Sequence, residues 1–398
     1  MALSAKPVQR PANPQFSSGP CTKHPGWSLA ALDVSLLGRN HRMVAPKARL
    51  NEVIRRSHAL LELPADWIVG LVPASDTGAV EMALWSMLGA RGVDVLAWET
   101  FTEMWAVDVA TQLNLTDYRL FRAPWGELPD LSAVDALNRD IVFAWNGTAA
   151  GVKMPDANWI PADRKGLTIC DATSAAFAME LPWDKLDVVT WSWQKVLGGE
   201  AAHGMIALSP RAVERLLTFQ PPRPLPKIFR LTEPGPDGKP QLIDSLFQGE
   251  TINTPSMLCV EDAMSAIAWA EHIGGVKALI ARSQANFAAV ERWVARTPWI
   301  DFLAKNPATR ATTSITLRPV SPWFTALDVV EQAAAVKRMV SLIEAEGAGF
   351  DFANYRDAPA GFRIWGGATV ETADVECLLG WIDWAYAQVQ SEYVQKAA

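Results

Sequence analysis

Between residues 67 and 209 short apolar runs alternate with longer amphipathic ones. WIVGLV (67–72) is followed by AVEMALWSMLGA, then by VDVLAW (93–98) and a segment around Trp105 to Leu113. Further short runs stand at IVFAW (141–145), LTICD (167–171), DVVTWSW (187–193) and GMIALS (204–209). Runs this short read as buried strands, and the stretches between them read as helices. That order predicts an α/β unit in which a mostly parallel sheet is covered by helices. Residues 220–256 differ, because PPRPLP and EPGPDGKP mark a long turn-rich segment that a compact core could not bury. Such a loop usually borders a site or an interface.

A helical stretch is expected from Ser256 to Thr297, broken at Gly274 and Gly275, with Leu279, Ile280, Phe287, Val290 and Val294 at helical spacing in its second half. Strand (TSITLRPV), helix (Val329 to Glu346), strand (GFRIW) and helix (Thr372 to about Val389) follow, with Thr372 expected as an N-cap. The division predicted is an N-terminal arm (1–20), a large unit (21–272) and a smaller C-terminal α+β unit (273–398).

Composition narrows the class. A chain of 398 residues, 49% apolar and 20% charged, is an ordinary globular protein with room for two or three structural units. The net charge of -7 argues against binding to nucleic acid or a membrane surface, which needs a basic face. A local cluster of Arg and His can still hold an acidic metabolite. Cys21, Cys170, Cys259 and Cys377 are widely spaced and suggest free thiols rather than a zinc site or redox pair. The segment MALSAKPVQRPANPQ is polar and Pro-rich, unlike a secretory signal, and no run approaches the ~18 apolar residues of a membrane span. The expectation is a soluble cytoplasmic protein.

The richest stretch for chemistry is LTICDATSAAF followed by VVTWSWQKVLGGEAAHGM, which puts Asp171 at the end of one expected strand and Lys195 just past the next, 24 residues on. Ligands of open α/β sheets bind at the carboxyl ends of strands, so both side chains can reach one crevice. Pyridoxal phosphate needs this pair. A lysine forms the imine to its aldehyde, and an acid keeps the pyridine nitrogen protonated so that the ring withdraws electrons. Once displaced, the lysine amine can move the proton from the substrate Cα. Either residue alone has a plainer reading, a solvated lysine or a helix-capping aspartate. In PASDTGAVEMALW the polar turn Ser75, Asp76, Thr77 and Gly78 feeds an expected helix, whose first N–H groups suit a phosphate.

SWQKVLGGEAAHG resembles the cofactor-lysine segment of phosphoserine aminotransferases, within the fold-type I pyridoxal-phosphate superfamily. SSGPC resembles the family's N-terminal SxGP signature, and GRNHR resembles its substrate-binding SHR-like motif. The resemblance implies roles for individual residues. Trp105 would stack on the pyridine ring, Thr148 in WNGTAAG would bond near the ring hydroxyl with Ser174 close by, and Asp171 would pair with the ring nitrogen. Gln194 would meet the phosphate near Asp76 and Thr77, which Asn253 and Thr254 in TINTPS would reach from a neighbouring subunit, so a homodimer is implied. Arg363 in GFRIW resembles the arginine that clamps the α-carboxylate, and His41 and Arg42 resemble the pair that meets the distal anion.

The chain departs from the commonest family pattern twice. Asp76-Thr77 stands where many members carry a small residue and an arginine, and Arg356-Asp357 stands where many carry His-Arg. Both changes remove positive charge from the phosphate pocket; Arg356 is expected to restore part of it, with Arg230 or Lys227 as further candidates. The resemblance implies amino transfer between L-glutamate and 3-phosphohydroxypyruvate, giving O-phosphoserine and 2-oxoglutarate, with the phosphohydroxythreonine step of pyridoxine synthesis as a second reaction. Rival readings are another transamination on the same scaffold, such as the alanine-glyoxylate type, a desulfurase, or a non-catalytic phosphometabolite-binding protein. For a desulfurase neither Cys170, inside a strand, nor Cys377, in a helix, is well placed.

Overall fold

The computed structural model describes residues 5–397; the first four residues of the expected arm, and Ala398, lie outside the described residues. Its large sheet has seven strands: β1 (Ile68–Pro73), β2 (Val93–Ala97), β3 (Tyr118–Arg122), β4 (Asp140–Ala144), β5 (Thr168–Asp171), β6 (Val188–Ser192) and β7 (His203–Leu208). Across the sheet they run β1, β7, β6, β5, β4, β2, β3. All point the same way except β7, which is antiparallel to both β1 and β6. The exception has a simple cause. A parallel neighbour needs a crossover of a dozen or more residues, whereas only residues 193–202 separate β6 from β7.

The central strands β2, β4, β5, β6 and β7 are buried along their whole length. The sheet is covered by α1 (Val44–Leu60), α2 (Ser75–Met87), α3 (Thr100–Val107), α4 (Pro210–Thr218) and α5 (Met257–His272). Edge strand β3 escapes the sequence reading because YRLFR is only half-buried and carries two arginines. Helix α1 was likewise not expected. It is anchored to α5 by a bidentate ion pair, Arg49 to Glu261, with Nε–Oε1 at 2.9 Å and Nη2–Oε2 at 2.5 Å.

The expected break in the long helical stretch falls at Gly274 (φ 115°) and Gly275 (φ 74°), a left-handed turn that only glycine adopts without strain. Beyond it α6 (Gly275–Arg296), α7 (Val329–Ala345) and α8 (Thr372–Ala397) accompany a three-stranded antiparallel sheet of β8 (Ile300–Phe302), β9 (Ser314–Pro319) and β10 (Phe362–Trp365). Thr372 is the first helical residue of α8 rather than its cap; its hydroxyl donates to Asn286 Oδ1 at 2.6 Å. The turn-rich segment contains one short ribbon, Thr232–Pro234 against Pro240–Leu242, and is pinned by buried Leu231 and Leu246. The described part of the arm lies on the second unit. Phe16 is fully buried, its N–H donates to Phe350 O at 3.2 Å, and Ala12 N–H donates to Asp374 Oδ1 at 2.6 Å. That docking carries the SSGPC segment toward the end of β6. Among the described residues no helix is long and apolar enough to cross a membrane.

Candidate active site

The two ends of the large sheet have opposite character. At the strand N-termini Asp94, Asp140 and Asp187 are buried and each is neutralised by arginine: Arg119 and Arg139, Arg215, and Arg164 with Arg211 respectively. At the carboxyl ends stand the side chains that carry the candidate chemistry.

Lys195 follows β6 and is 9% exposed. Its Nζ donates to the carbonyl oxygen of Ser18 at 2.5 Å, and the Cys21 N–H donates to the Gln194 carbonyl at 2.8 Å, so the arm clamps the lysine segment. Gly19 suits this approach because its φ of 142° is one that L side chains rarely adopt, and a Cβ there would lie 2.5 Å from Nζ. Burial pushes the Lys195 amine below its ordinary pKa; Cys21 opposes and nearby Arg363 reinforces that shift.

Asp171 ends β5. Its carboxylate accepts from Trp105 Nε1 at 3.3 Å and from the Thr173 N–H at 3.0 Å, so the indole and the acid expected around a pyridine ring do meet. Burial nevertheless raises the Asp171 pKa. Trp105 is set by α3, whose start is fixed by a reciprocal cap: Glu99 Oε1 accepts from Thr102 N–H at 2.9 Å while the Thr102 hydroxyl accepts from Glu99 N–H at 3.2 Å. The other Glu99 oxygen accepts from Ala149 N–H at 2.8 Å, which ties α3 to the loop bearing Thr148. Burial pushes Glu99 up to about 7. Sequence reading passed over Glu99; its signal was the Glu-x-x-Thr spacing at a helix start.

Thr148 Oγ1 donates to Ser174 Oγ at 2.8 Å, and Asn146 Nδ2 also donates to Ser174 Oγ at 2.8 Å. Arg363, on β10, donates from Nη1 to the Thr148 carbonyl at 3.5 Å, and its guanidinium lies 5.3 Å from the Tyr355 ring centre. The two units therefore meet at this site. At the start of α2 Ala74 (φ 65°) and Ser75 (φ 54°) turn left-handed and the Ser75 N–H donates to the Ala202 carbonyl at 3.4 Å. The next amides, of Asp76 and Thr77, belong to the first helical turn, whose N–H groups have no intrahelical acceptor.

His41 and Arg42 lie just before α1, and Asn253 and Thr254 just before α5. Arg42 and Asn253 are exposed, and Arg42 lies near Glu250, which pairs with Lys47 on α1 at 2.6 Å. None of the four hydrogen-bonds or ion-pairs with Lys195, Asp171, Trp105 or Arg363 among the described residues. Arg356 is 75% exposed, 3.5 Å from Asp357 and 5.5 Å from the Tyr355 ring centre. Arg230 donates to the Leu225 carbonyl at 3.0 Å in the turn-rich segment.

The group fits pyridoxal phosphate. A buried amine, an acid on the neighbouring strand, an indole beside the acid and a helix start are gathered together. Several buried polar atoms here also lack a partner in the protein: Asp76 Oδ1, Gln194 Oε1, Ser18 Oγ and Arg363 Nε. Buried polar atoms are normally satisfied, so a set of bare ones around a lysine is what a polar ligand would complete.

Known structures agree on the fold. A phosphoserine aminotransferase from Cytophaga hutchinsonii superimposes with a TM-score of 0.75 at 19% identity, covering 95% of this chain and 98% of that one. A pyridoxal-phosphate-bound phosphoserine aminotransferase from Trichomonas vaginalis gives 0.68 at 16% identity, covering 92% and 98%. Fold and site together define the class, the fold-type I aminotransferases. No family model matches the chain. The phosphoserine aminotransferase of Methanosarcina mazei is 53% identical over 385 residues, 97% of this chain and 100% of that protein. The chain belongs to the phosphoserine aminotransferase family.

Proposed function

We propose that this aminotransferase works on pyridoxal 5'-phosphate linked to Lys195, and moves the amino group of L-glutamate to 3-phosphohydroxypyruvate, yielding O-phospho-L-serine and 2-oxoglutarate. The observation that carries the reading is the convergence of Lys195, Asp171, Trp105 and Arg363 at one end of the sheet, in a chain 53% identical to a phosphoserine aminotransferase. When bound, the cofactor supplies an aldehyde that captures amino groups and a ring that withdraws electrons from the substrate Cα.

The chain's own residues supply the rest. Lys195, whose amine burial holds below its ordinary pKa, would take and return the Cα proton. Asp171, held by Trp105 and Thr173, would pair with the ring nitrogen of the bound cofactor. Thr148 and Ser174 would bond beside the ring, and Gln194 with the amides of Asp76 and Thr77 would hold the phosphate. Arg363 presents a planar fork to the α-carboxylate common to all four substrates and products. His41 and Arg42 take the distal anion, helped by Arg356.

The exposure of Arg42, Asn253 and Thr254, none of which bonds to the Lys195 cluster among the described residues, supports a homodimer in which they and His41 complete a second subunit's site. The four free cysteines suit the cytoplasm. The same distal-anion recognition would admit the phosphohydroxythreonine precursor of pyridoxine.

The test is an absorbance scan of purified protein before and after phosphoserine, with Lys195→Ala as control. A band near the visible edge that shifts with phosphoserine and is lost in the variant is the expected result. A band indifferent to phosphoserine would sink the substrate. No band after incubation with pyridoxal phosphate would leave a binding protein instead of an enzyme.

A further inference from the structure

Lys195 is gripped by two segments without regular structure. The arm holds it through the Ser18 carbonyl, which accepts from Nζ, and through Cys21, whose N–H donates to the Gln194 carbonyl. The loop leaving β6 closes on itself: Gly198 N–H donates to the Lys195 carbonyl at 3.0 Å and Gly199 N–H to the Trp193 carbonyl at 2.8 Å. Arm and loop are pressed backbone to backbone, since a Cβ on Gly198 (φ 64°) would lie 2.2 Å from the Thr22 carbonyl oxygen.

Both segments end on one carboxylate, Asp262 of α5, which is 3% exposed. From the arm, Lys23 Nζ donates to Oδ2 at 2.8 Å and Trp27 Nε1 to Oδ1 at 2.8 Å; from the loop, the Glu200 N–H donates to Oδ2 at 2.7 Å. Lys23 also pairs with the Glu200 side chain at 2.8 Å, tying arm to loop. Ser265 and Trp269 follow Asp262 at i+3 and i+7, on the same helix face. His24 uses both: Nε2 lies 3.0 Å from Ser265 Oγ, and its ring stacks on Trp269 with centres 5.4 Å apart. The arm is thus laid along one stripe of α5, and Asp262 is where the loop joins it.

A buried carboxylate must be paired and hydrogen-bonded, and Asp262 draws its donors from the two segments that flank Lys195. It makes no hydrogen bond or ion pair with Lys195 itself among the described residues. We propose that Asp262 is a positioning residue for Lys195, fixing the amine through the arm and the loop that grip it. The grip is independent of the cofactor; only its consequence for the imine rests on the function proposed above.

The test is trace acetylation of the full-length, cofactor-free protein with acetic anhydride, read at each lysine by peptide mass spectrometry and scaled to Lys239, whose side chain is 80% exposed. Asp262→Asn keeps the side chain's size but offers one acceptor oxygen in place of two, so labelling at Lys195 should rise at least about fivefold. Asp383→Asn is the control for a general loss of stability, because Asp383 accepts from Trp293 and Trp299 Nε1 in the second unit; its Lys195 labelling should match the wild type. No rise in Asp262→Asn, or an equal rise in both variants, overturns the proposal. Should Asp262→Asn not fold, Lys23→Met removes only the ammonium, and a rise of about twofold is expected. No rise there sinks the proposal equally.

The consequence for the imine is read from the absorbance change when pyridoxal phosphate is added. Imine formation should be at least about tenfold slower in Asp262→Asn than in the wild type. Equal rates overturn the role at the imine. If labelling responds as expected and the wild type forms no imine, the grip stands and the proposed function falls.

Discussion

Arg363 and Arg356 lie against the same tyrosine ring, at 5.3 and 5.5 Å, yet their settings assign them different work. Arg363 is largely buried with Nε unpartnered, so its guanidinium is held in place for a planar anion. Replacing it by lysine keeps the charge and removes the fork; with charge-assisted hydrogen bonds contributing about 1.5–3 kcal/mol, KM should rise roughly 10- to 150-fold for glutamate and phosphoserine alike. Arg356 is exposed, so Arg356→Ala should raise KM for a phosphorylated substrate far more than for its unphosphorylated analogue. Steady-state kinetics on both substrate pairs decides this, and an equal response to Arg356→Ala would remove it from the phosphate site. Lys195, Asp171, Trp105 and Arg363 were legible because each sits beside a recognisable strand or motif. Glu99 and Tyr355 were not. What Glu99 does depends on Ala149, fifty residues away, and what Tyr355 does depends on a ring face turned to two arginines, and neither relation has a local signature.

Helix α2 shows how an element places several of these groups at once. Its start needs a left-handed entry at Ala74 and Ser75, and its first turn is pressed on the strand end: a Cβ on Gly78 would lie 2.1 Å from the Pro73 carbonyl oxygen. Alanine there would gain about 1 kcal/mol of helix propensity. The clash is with backbone and cannot be relieved by a side-chain rotation, so the strain of overpacking, about 1–3 kcal/mol, should prevail. Gly78→Ala is therefore expected to lower Tm and to weaken cofactor retention, both readable in one thermal scan with and without pyridoxal phosphate. A rise in Tm would show that the strand end yields. The strands and most helices of this unit were legible from apolar runs because the parallel strands are buried on both faces. Strand β3 was not, since an edge strand needs apolar residues on only part of its surface. Helix α1 escaped because its registration on α5 depends on the Arg49–Glu261 pair, which only the fold brings together.

At the scale of the whole molecule the sheet separates stability from function along its strands. The carboxylates at the N-terminal ends are paired with arginines. Asp187 meets Arg164 and Arg211 at 3.0 Å, so Asp187→Ala strands a buried cation and should cost about 3–5 kcal/mol, seen as a lower denaturant midpoint. At the carboxyl ends burial dominates instead, and it raises Asp76 and Asp171 and pushes Glu99 and, on α2, Glu81 up to about 7. A carboxyl whose folded pKa exceeds its unfolded value binds more protons when folded, so stability falls as pH rises from the unfolded value near 4.5 through about 7. Surface carboxylates act oppositely: Asp117 and Glu346, lowered by arginine and lysine partners, contribute stability that is lost only below the ordinary carboxylate range. The protein should accordingly be most stable near pH 5 and decline toward pH 8. Glu99→Gln removes one titration and one acceptor, since Thr102 and Ala149 each use a separate oxygen of Glu99. The variant should be less stable than the wild type at pH 5, by about 1–3 kcal/mol for the stranded donor, with the gap narrowing toward pH 8 as the wild-type carboxyl is forced to ionise. Melting temperatures at pH 5 and 8 check this, and a gap that stays constant with pH would mean that Glu99 is already ionised at pH 5.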